Sequence, residues 1–150
     1  MNKVIHKKLR LECRPQRAFE YFTVNRHITR WLAPRADVVP EVGGKYHLFW
    51  KMDKDVTESS EGCRITAIEH GKFLSFEWKS FEQFAEFMDD ADPKTHCVVF
   101  FIPSPVDDTA TDVHLIHSGW RENEQWEEAR LWYDEAWNRS FATLQETVNG

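Results

Sequence analysis

Residues 118–148 read SGWRENEQWEEARLWYDEAWNRSFATLQETV, and this stretch decides the fold. Asn123 can accept hydrogen bonds from the exposed amides of a first helical turn, and the acidic residues that follow it suit a helix N-terminus. Apolar residues then recur every three or four positions, which collects them on one side of an α-helix. They are Ala129, Tyr133, Ala136, Trp137, Phe141, Leu144 and Val148. The sequence therefore predicts a long amphipathic C-terminal helix that needs an apolar surface to lie on.

The segments before this helix alternate apolar and polar residues, as half-buried strands do. Only residues 15–34 break the alternation early, where Pro15 and a helical spacing of apolar residues predict two short helices that end at Pro34. The acidic residues 53–61 predict a solvated loop. Strands are predicted within residues 3–13, 37–41, 45–52, 62–69, 72–79, 96–103 and 111–118. We expect an α+β fold in which an antiparallel sheet of about six strands packs against the long helix.

Length and charge limit the classes of function. A chain of 150 residues with 41% hydrophobic residues is of single-domain size, so we expect one domain over residues 1–150. The formal net charge is −6, with acid concentrated in residues 53–61, 86–92 and 122–128. Because that charge repels phosphate backbones, the sequence disfavours nucleic-acid binding.

The cysteines and the apolar runs predict a compartment. Cys13, Cys63 and Cys97 are far apart and form no CxxC pair, so they are interpreted as buried thiols in a reducing compartment. The chain shows no signal-peptide pattern and no apolar run of about eighteen residues. We therefore expect a cytoplasmic protein without membrane insertion.

Seven histidines invite a metal or acid–base hypothesis, but their spacing does not support one. There is no HExxH, and His114 and His117 face opposite sides of a predicted strand. No nucleophile motif, P-loop or dinucleotide fingerprint is present. We expect no catalytic residues, no metal and no cofactor. His117 should point toward the helix, where it could orient a ligand or satisfy a local hydrogen bond.

The seven Trp and eleven Phe suit either a large-residue core or an aromatic-lined pocket. Several aromatic faces, together with Met52, are predicted to converge on the space between sheet and helix. The candidate ligand-binding residues there are Trp31, Tyr46, Leu48, Trp50, Trp78, Val113, Leu115, His117, Trp137 and Phe141. Because interiors normally pack to crystal-like density, the sequence leaves open whether these side chains line a cavity or fill it.

The segment from Phe81 to Pro93 interrupts the strands. Phe81, Phe84 and Met88 fall at helical spacing, which predicts one or two turns of helix. Such a helix could be a lid over a pocket mouth, a contact surface for another chain, or a cap on the sheet edge.

Several motifs resemble those of a known superfamily. They are WLAP at residues 31–34, the pair Gly43-Gly44, LSFEW at 74–78 and TDVHLIHSGW at 111–120. Together with the element order and Trp137 in the last helix, they resemble the START-like helix-grip proteins, and among them the SRPBCC group with a domain like the activator of heat-shock-protein ATPase. The chain departs from that pattern in its longer acidic insert, and we expect it to lack the accessory N-terminal domain of the eukaryotic co-chaperones.

The resemblance implies a sheet curled around the C-terminal helix, with a cavity for an apolar ligand such as a lipid. It also implies a link to the stress response, because eukaryotic relatives stimulate the ATPase of the ninety-kilodalton heat-shock chaperone. The leading hypothesis is a non-enzymatic domain that binds a small apolar or amphipathic molecule. A chaperone-interacting protein is the alternative, and a cyclase- or hydrolase-type enzyme ranks last. The sequence leaves open whether the chain is a monomer or a homodimer.

Overall fold

The long C-terminal helix packs along an antiparallel sheet in the computed structural model, which describes residues 3–52, 57–79 and 82–150. Eight strands and four helices follow one another in the described chain. They are β1 (Ile5–Leu11), α1 (Pro15–Thr23), α2 (Asn25–Ile28), β2 (Arg35–Val38), β3 (Tyr46–Met52), β4 (Thr57–Ser59), β5 (Ile65–Glu69), β6 (Phe73–Trp78), α3 (Glu82–Met88), β7 (Thr95–Pro103), β8 (Thr111–Ser118) and α4 (Glu124–Asn149).

The strands form two hydrogen-bonded sheets that meet edge to edge. The first has the order β1-β8-β7-β6-β5 and the second the order β2-β3-β4, with every pairing antiparallel. Backbone hydrogen bonds join them: Ile65 N–H donates to the Gly44 carbonyl, and Tyr46 N–H donates to the Cys63 carbonyl. Register shifts within the β3–β4 and β5–β6 pairs bend the strands at this join. The result is the curved sheet around a C-terminal helix that the motifs predict.

Helix α4 begins where the sequence predicts. The Asn123 side chain accepts a hydrogen bond from the Trp126 amide at 3.0 Å, which satisfies one of the free donors of the first turn. Its buried residues follow the predicted stripe and are Trp126, Ala129, Tyr133, Trp137, Phe141 and Leu144. Lys7, the one polar residue on the apolar face of β1, forms an ion pair with Asp134 of α4 at 2.9 Å. The stripe therefore lies on the sheet, as expected.

One prediction about local structure needs correction. The solvated loop predicted over residues 53–61 is wrong at its end, because Thr57–Ser59 pairs with β3 as strand β4. Its polar residues are tolerated there because the Ser60 hydroxyl donates to the Tyr46 carbonyl and accepts from the Leu48 amide. Residues 53–56 lie outside the described chain.

The cysteines follow the prediction for the most part. Cys63 and Cys97 are buried and Cys13 is half-buried, all as free thiols. Burial raises the pKa of the Cys63 thiol to about 12 and holds that of Cys97 well above its ordinary value, so neither is a reactive thiolate near neutral pH. Within the described residues, no helix has the length and apolar character required to cross a membrane.

Candidate ligand-binding cleft

A cleft of about 240 Å³ opens between α4 and the ends of β3 and β6, which belong to the two adjoining sheets. We call it the tryptophan cleft, because four of its nine described lining residues are tryptophans. The lining residues are Leu32, Trp50, Trp78, Trp132, Tyr133, Ala136, Trp137, Arg139 and Ser140. A wall with this much aromatic surface and so few polar groups is typical of small-molecule sites.

The inner wall is held by contacts between rings and by hydrogen bonds of its indoles. Trp50 of β3 donates from Nε1 to the Leu32 carbonyl at 2.9 Å, which fixes the indole across the turn that follows α2. Its ring meets Trp78 edge-on, with centroids 5.6 Å apart, and Trp78 in turn lies 5.2 Å from Trp137. These are favourable distances for aromatic pairs, so the rings hold one another in place.

Behind this wall, His117 closes a buried hydrogen-bond chain. Trp137 Nε1 donates to His117 Nδ1 at 3.1 Å, and His117 Nε2 lies 3.0 Å from the Thr95 hydroxyl. Since Nδ1 accepts, the neutral ring carries its proton on Nε2 and donates to Thr95. Burial lowers the pKa of His117 to about 3, so the ring is neutral at physiological pH. Both ring nitrogens are thus bonded within the protein, which favours the local hydrogen-bonding role over ligand orientation.

Trp78 differs from Trp50 and Trp137 in the pairing of its indole N–H. Its side chain is 3% exposed, and its Nε1–H is buried without a hydrogen-bond partner among the described residues. An unpaired buried donor costs free energy, about 1–3 kcal/mol.

The polar side chains at the mouth are Arg139 and Ser140. Arg139 is exposed, and in the described part of the chain its guanidinium forms no ion pair or hydrogen bond. The nine lining residues that the structure describes include no carboxylate, carboxamide or histidine. Among these residues, the mouth therefore carries positive charge without a counter-ion.

The structure brings together three of the ten predicted ligand-binding residues in the tryptophan cleft, namely Trp50, Trp78 and Trp137. Others lie in a closed core beside it. Tyr46 stacks on Phe76 and donates its hydroxyl to the Phe22 carbonyl at 2.8 Å. Trp31 donates from Nε1 to the Tyr21 carbonyl at 2.8 Å. Their polar atoms are already bonded, so they act as core residues.

The remaining four predicted residues also pack in this closed core. Leu48, Val113 and Leu115 have no exposed surface, and Phe141 packs against Trp31 and Trp137. Most of the predicted space between sheet and helix is thus filled by these side chains. The open part lies toward the β3 and β6 side of α4.

Sequence reasoning missed six residues of the lining. Tyr133 and Ala136 belong to the predicted apolar stripe of the long helix, where packing on the sheet explains them. Leu32 belongs to the second predicted short helix. Trp132, Arg139 and Ser140 lie just beside the stripe, and Arg139 follows Trp132 after seven residues, or about two helical turns. Trp132 is half-buried in the structure. A tryptophan beside an apolar stripe is the sequence signal that could have revealed a wider apolar surface on that side.

The insert forms helix α3, as its spacing predicts, and packs on the first half of α4. Phe84 meets the rings of Trp132 at 5.7 Å and Tyr133 at 6.2 Å, both of which line the cleft. Met88 is also buried. Phe81, the third predicted lid residue, lies outside the described residues. Helix α3 therefore borders the cleft on one side.

The histidines form no metal site of the usual kind in the part of the chain that the structure describes, where no group of three or more metal-binding side chains occurs. His114 points to the outer sheet face, opposite to His117, and its Nδ1 lies 3.0 Å from Nε2 of His6. The predicted opposition of His114 and His117 is confirmed.

Solved structures share this fold. A crystal structure of a protein from Mesorhizobium loti aligns with a TM-score of 0.76 at 20% identity, covering 98% of this chain and 97% of the other. The solution structure of the Aha1 dimer from Colwellia psychrerythraea aligns with a TM-score of 0.68 at 12% identity, covering 97% and 96%. A protein from Chromobacterium violaceum aligns at 0.66 and 17% identity, covering 98% and 97%. These similarities establish the fold.

No curated protein matches the sequence significantly. One family model does, over residues 12–149, and its description is activator of Hsp90 ATPase homolog 1-like protein. The match spans nearly the whole chain and agrees with the motifs around WLAP and HSGW. The chain therefore belongs to the family of activator of Hsp90 ATPase homolog 1-like proteins.

Proposed function

We propose that this protein is a non-enzymatic binding domain that holds a small apolar or amphipathic molecule in the tryptophan cleft. The observation that carries the proposal is an aromatic wall with an open volume in front of it. The neighbouring core, built from the same residue types, has closed completely. An apolar surface that stays open to solvent often marks a binding site, which supports a role for this cleft.

The size of the cleft limits its occupant. A dry cavity of about 150 Å³ holds a benzene molecule, and pockets for drug-sized ligands begin at about 300 Å³. The cleft, at about 240 Å³, lies between these values. It suits one or two fused rings or a short acyl chain, with any polar end directed toward the mouth. A long-chain lipid would have to extend well outside.

The test is to fill the cleft and measure binding. Ala136 lines the cleft from α4, so Ala136→Phe places a ring in the open volume, whereas the exposed Ala142 is on the same helix outside it. We expect saturable binding of 2-naphthamide to the wild type and to Ala142→Phe by isothermal titration calorimetry, and loss of binding in Ala136→Phe. Equal binding by all three proteins, or none by the wild type, would overturn the proposal.

The occupant itself can be sought in protein purified from its host. Native mass spectrometry of that protein is expected to show a bound species of low mass, which Ala136→Phe should lack. A bound species retained by Ala136→Phe would place the ligand elsewhere.

Helix α3 is proposed as a lid over one side of the cleft. Phe84→Ala removes its contacts with Trp132 and Tyr133, so we expect 2-naphthamide to dissociate faster in stopped-flow measurements. A change in oligomeric mass with unchanged dissociation would instead identify α3 as a contact surface. No change in either would leave it as a cap on the sheet edge.

Co-chaperone activity is the second candidate, favoured by family membership and by the fold shared with the Colwellia Aha1 dimer. It predicts that the purified protein binds the heat-shock chaperone in a pull-down and raises its ATPase rate. An unchanged ATPase rate would eliminate this candidate. Sedimentation of the free protein would show whether it too forms a dimer.

A further inference from the structure

The hydrogen-bonding groups of the tryptophan cleft are mainly donors. Two of its indole donors are already used, because Trp50 donates to the Leu32 carbonyl and Trp137 donates to His117. The buried Trp78 Nε1–H has no partner in the described residues. At the mouth, the Arg139 guanidinium offers donors and positive charge.

Acceptors are scarce in the same wall. None of the nine lining residues that the structure describes carries a carboxylate, a carboxamide or an imidazole. A guanidinium presents five N–H donors and no acceptor, and its fork matches the two oxygens of a carboxylate. The complement of this site is therefore a molecule with a flat apolar body and oxygen acceptors at the end that meets Arg139.

We propose that the tryptophan cleft selects small aromatic carboxylic acids, with the rings against its half-buried tryptophans, Trp50 and Trp132, and the carboxylate at Arg139. This inference rests on the proposed function and adds the chemical class of the ligand. The chain as a whole carries a formal net charge of −6, which opposes anion binding. Any preference for an anion must therefore arise locally, from the one guanidinium at the mouth.

Two nearly isosteric probes separate charge from shape. 2-Naphthoate and 2-naphthamide share the same rings and differ in the charged group. Because Arg139 is solvent-exposed, we expect the wild type to bind the carboxylate only about five- to tenfold more tightly than the amide. Arg139→Gln should bring the two dissociation constants together by weakening the carboxylate alone. The matched control Arg26→Gln, at an exposed position on α2, should leave the preference unchanged.

The outcomes distinguish this inference from the proposed function. Equal binding of both probes by the wild type, or a preference retained in Arg139→Gln, would overturn the carboxylate assignment and leave the binding function standing. Binding of neither probe would overturn both.

Discussion

Trp137 and Trp78 both line the tryptophan cleft, and their ring centroids lie 5.2 Å apart, yet their indole N–H groups lie in two different regions. The Trp137 N–H points into the closed core, where it is bonded to His117, which is bonded in turn to Thr95. The Trp78 N–H is buried with no acceptor among the described residues. The first donor is satisfied inside the core, and the second is left without a partner.

The difference shows that aromatic content alone does not define a site in this fold. The closed core contains Trp31, Tyr46 and Phe141, and in it the Trp31 indole and the Tyr46 hydroxyl both donate to backbone carbonyls. The cleft differs by an open volume and, within the described residues, by an unpaired indole donor and an unpaired cation at its mouth. The open volume and the pairing of the indole and phenol donors, rather than ring count, distinguish the cleft from this core.

The largest effect should come from breaking the closed region at His117. Replacing this fully buried residue by alanine leaves Trp137 Nε1 and the Thr95 hydroxyl unpaired and opens a cavity. We expect His117→Ala to lower the free energy of unfolding by about 3–4 kcal/mol, measured by urea denaturation. The exposed His6→Ala is the control, with an expected loss below about 1 kcal/mol. A loss as small as that of the control for His117→Ala would contradict the buried hydrogen bonds that join Trp137, His117 and Thr95.

The same histidine should make stability fall in acid. Its pKa is about 3 in the folded protein and 6.5 as an ordinary value, so the unfolded chain binds more protons between these limits. Stability is complete above about pH 6.5 and is lost as the pH falls toward 3, by roughly 2–3 kcal/mol between pH 7 and 4.5. His27, His47, His96 and His114 also have lowered pKa values and act in the same direction.

Comparison with His117→Gln isolates the contribution of His117 to this pH dependence. The variant should retain the part of the pH-dependent loss of stability that comes from the other histidines. Between pH 6.5 and 4.5, its total loss of unfolding free energy should be smaller than that of the wild type by roughly half or more. An identical pH profile in the two proteins would show that His117 is not buried as a neutral ring.

A matched pair of indole substitutions tests the contrast directly. Trp137→Phe removes the donor bonded to His117 and leaves Nδ1 unpaired, so we expect a loss of about 2–3 kcal/mol. Trp78→Phe removes a donor that has no partner in the described chain, so its cost should be smaller by at least about 1 kcal/mol. Both measurements use denaturation at pH 7.5. Equal losses would remove the distinction between the two regions.

The smallest effect is expected at the mouth. Arg139 is exposed and makes no ion pair within the described residues, so Arg139→Gln should change stability by less than about 0.5 kcal/mol. Thermal unfolding of the unliganded protein would verify this. A clear destabilisation would mean that Arg139 has a structural role.

The long helix and the sheet could be predicted from the sequence, because hydrophobic periodicity and one capping residue specify them. The stripe from Ala129 to Leu144 and the buried side of β8 both lie where their spacing predicts. The short strand β4 could not be predicted in this way, because its polar residues pair through backbone and through the Ser60 hydroxyl. Neither backbone pairing nor a single hydroxyl group produces a periodic pattern in the sequence.

The cleft was only partly predictable. Trp50, Trp78 and Trp137 could be placed on inward faces, but alternation says nothing about whether a face is covered. That depends on volume and on which N–H groups find acceptors, as the difference between Trp31 and Trp78 shows. Arg139 could not be assigned to a site from its type, because most exposed arginines serve only solubility.

The indole region of a ¹⁵N–¹H correlation spectrum offers the most direct test of the central claim, that the tryptophan cleft binds a ligand while the adjacent core remains closed. The resonance of Trp78 is assigned by its disappearance in Trp78→Phe, and that of Trp31 likewise. On titration with 2-naphthoate, the Trp78 signal should shift and saturate while the Trp31 signal stays in place. A stationary Trp78 signal, or equal shifts at both residues, would contradict the account.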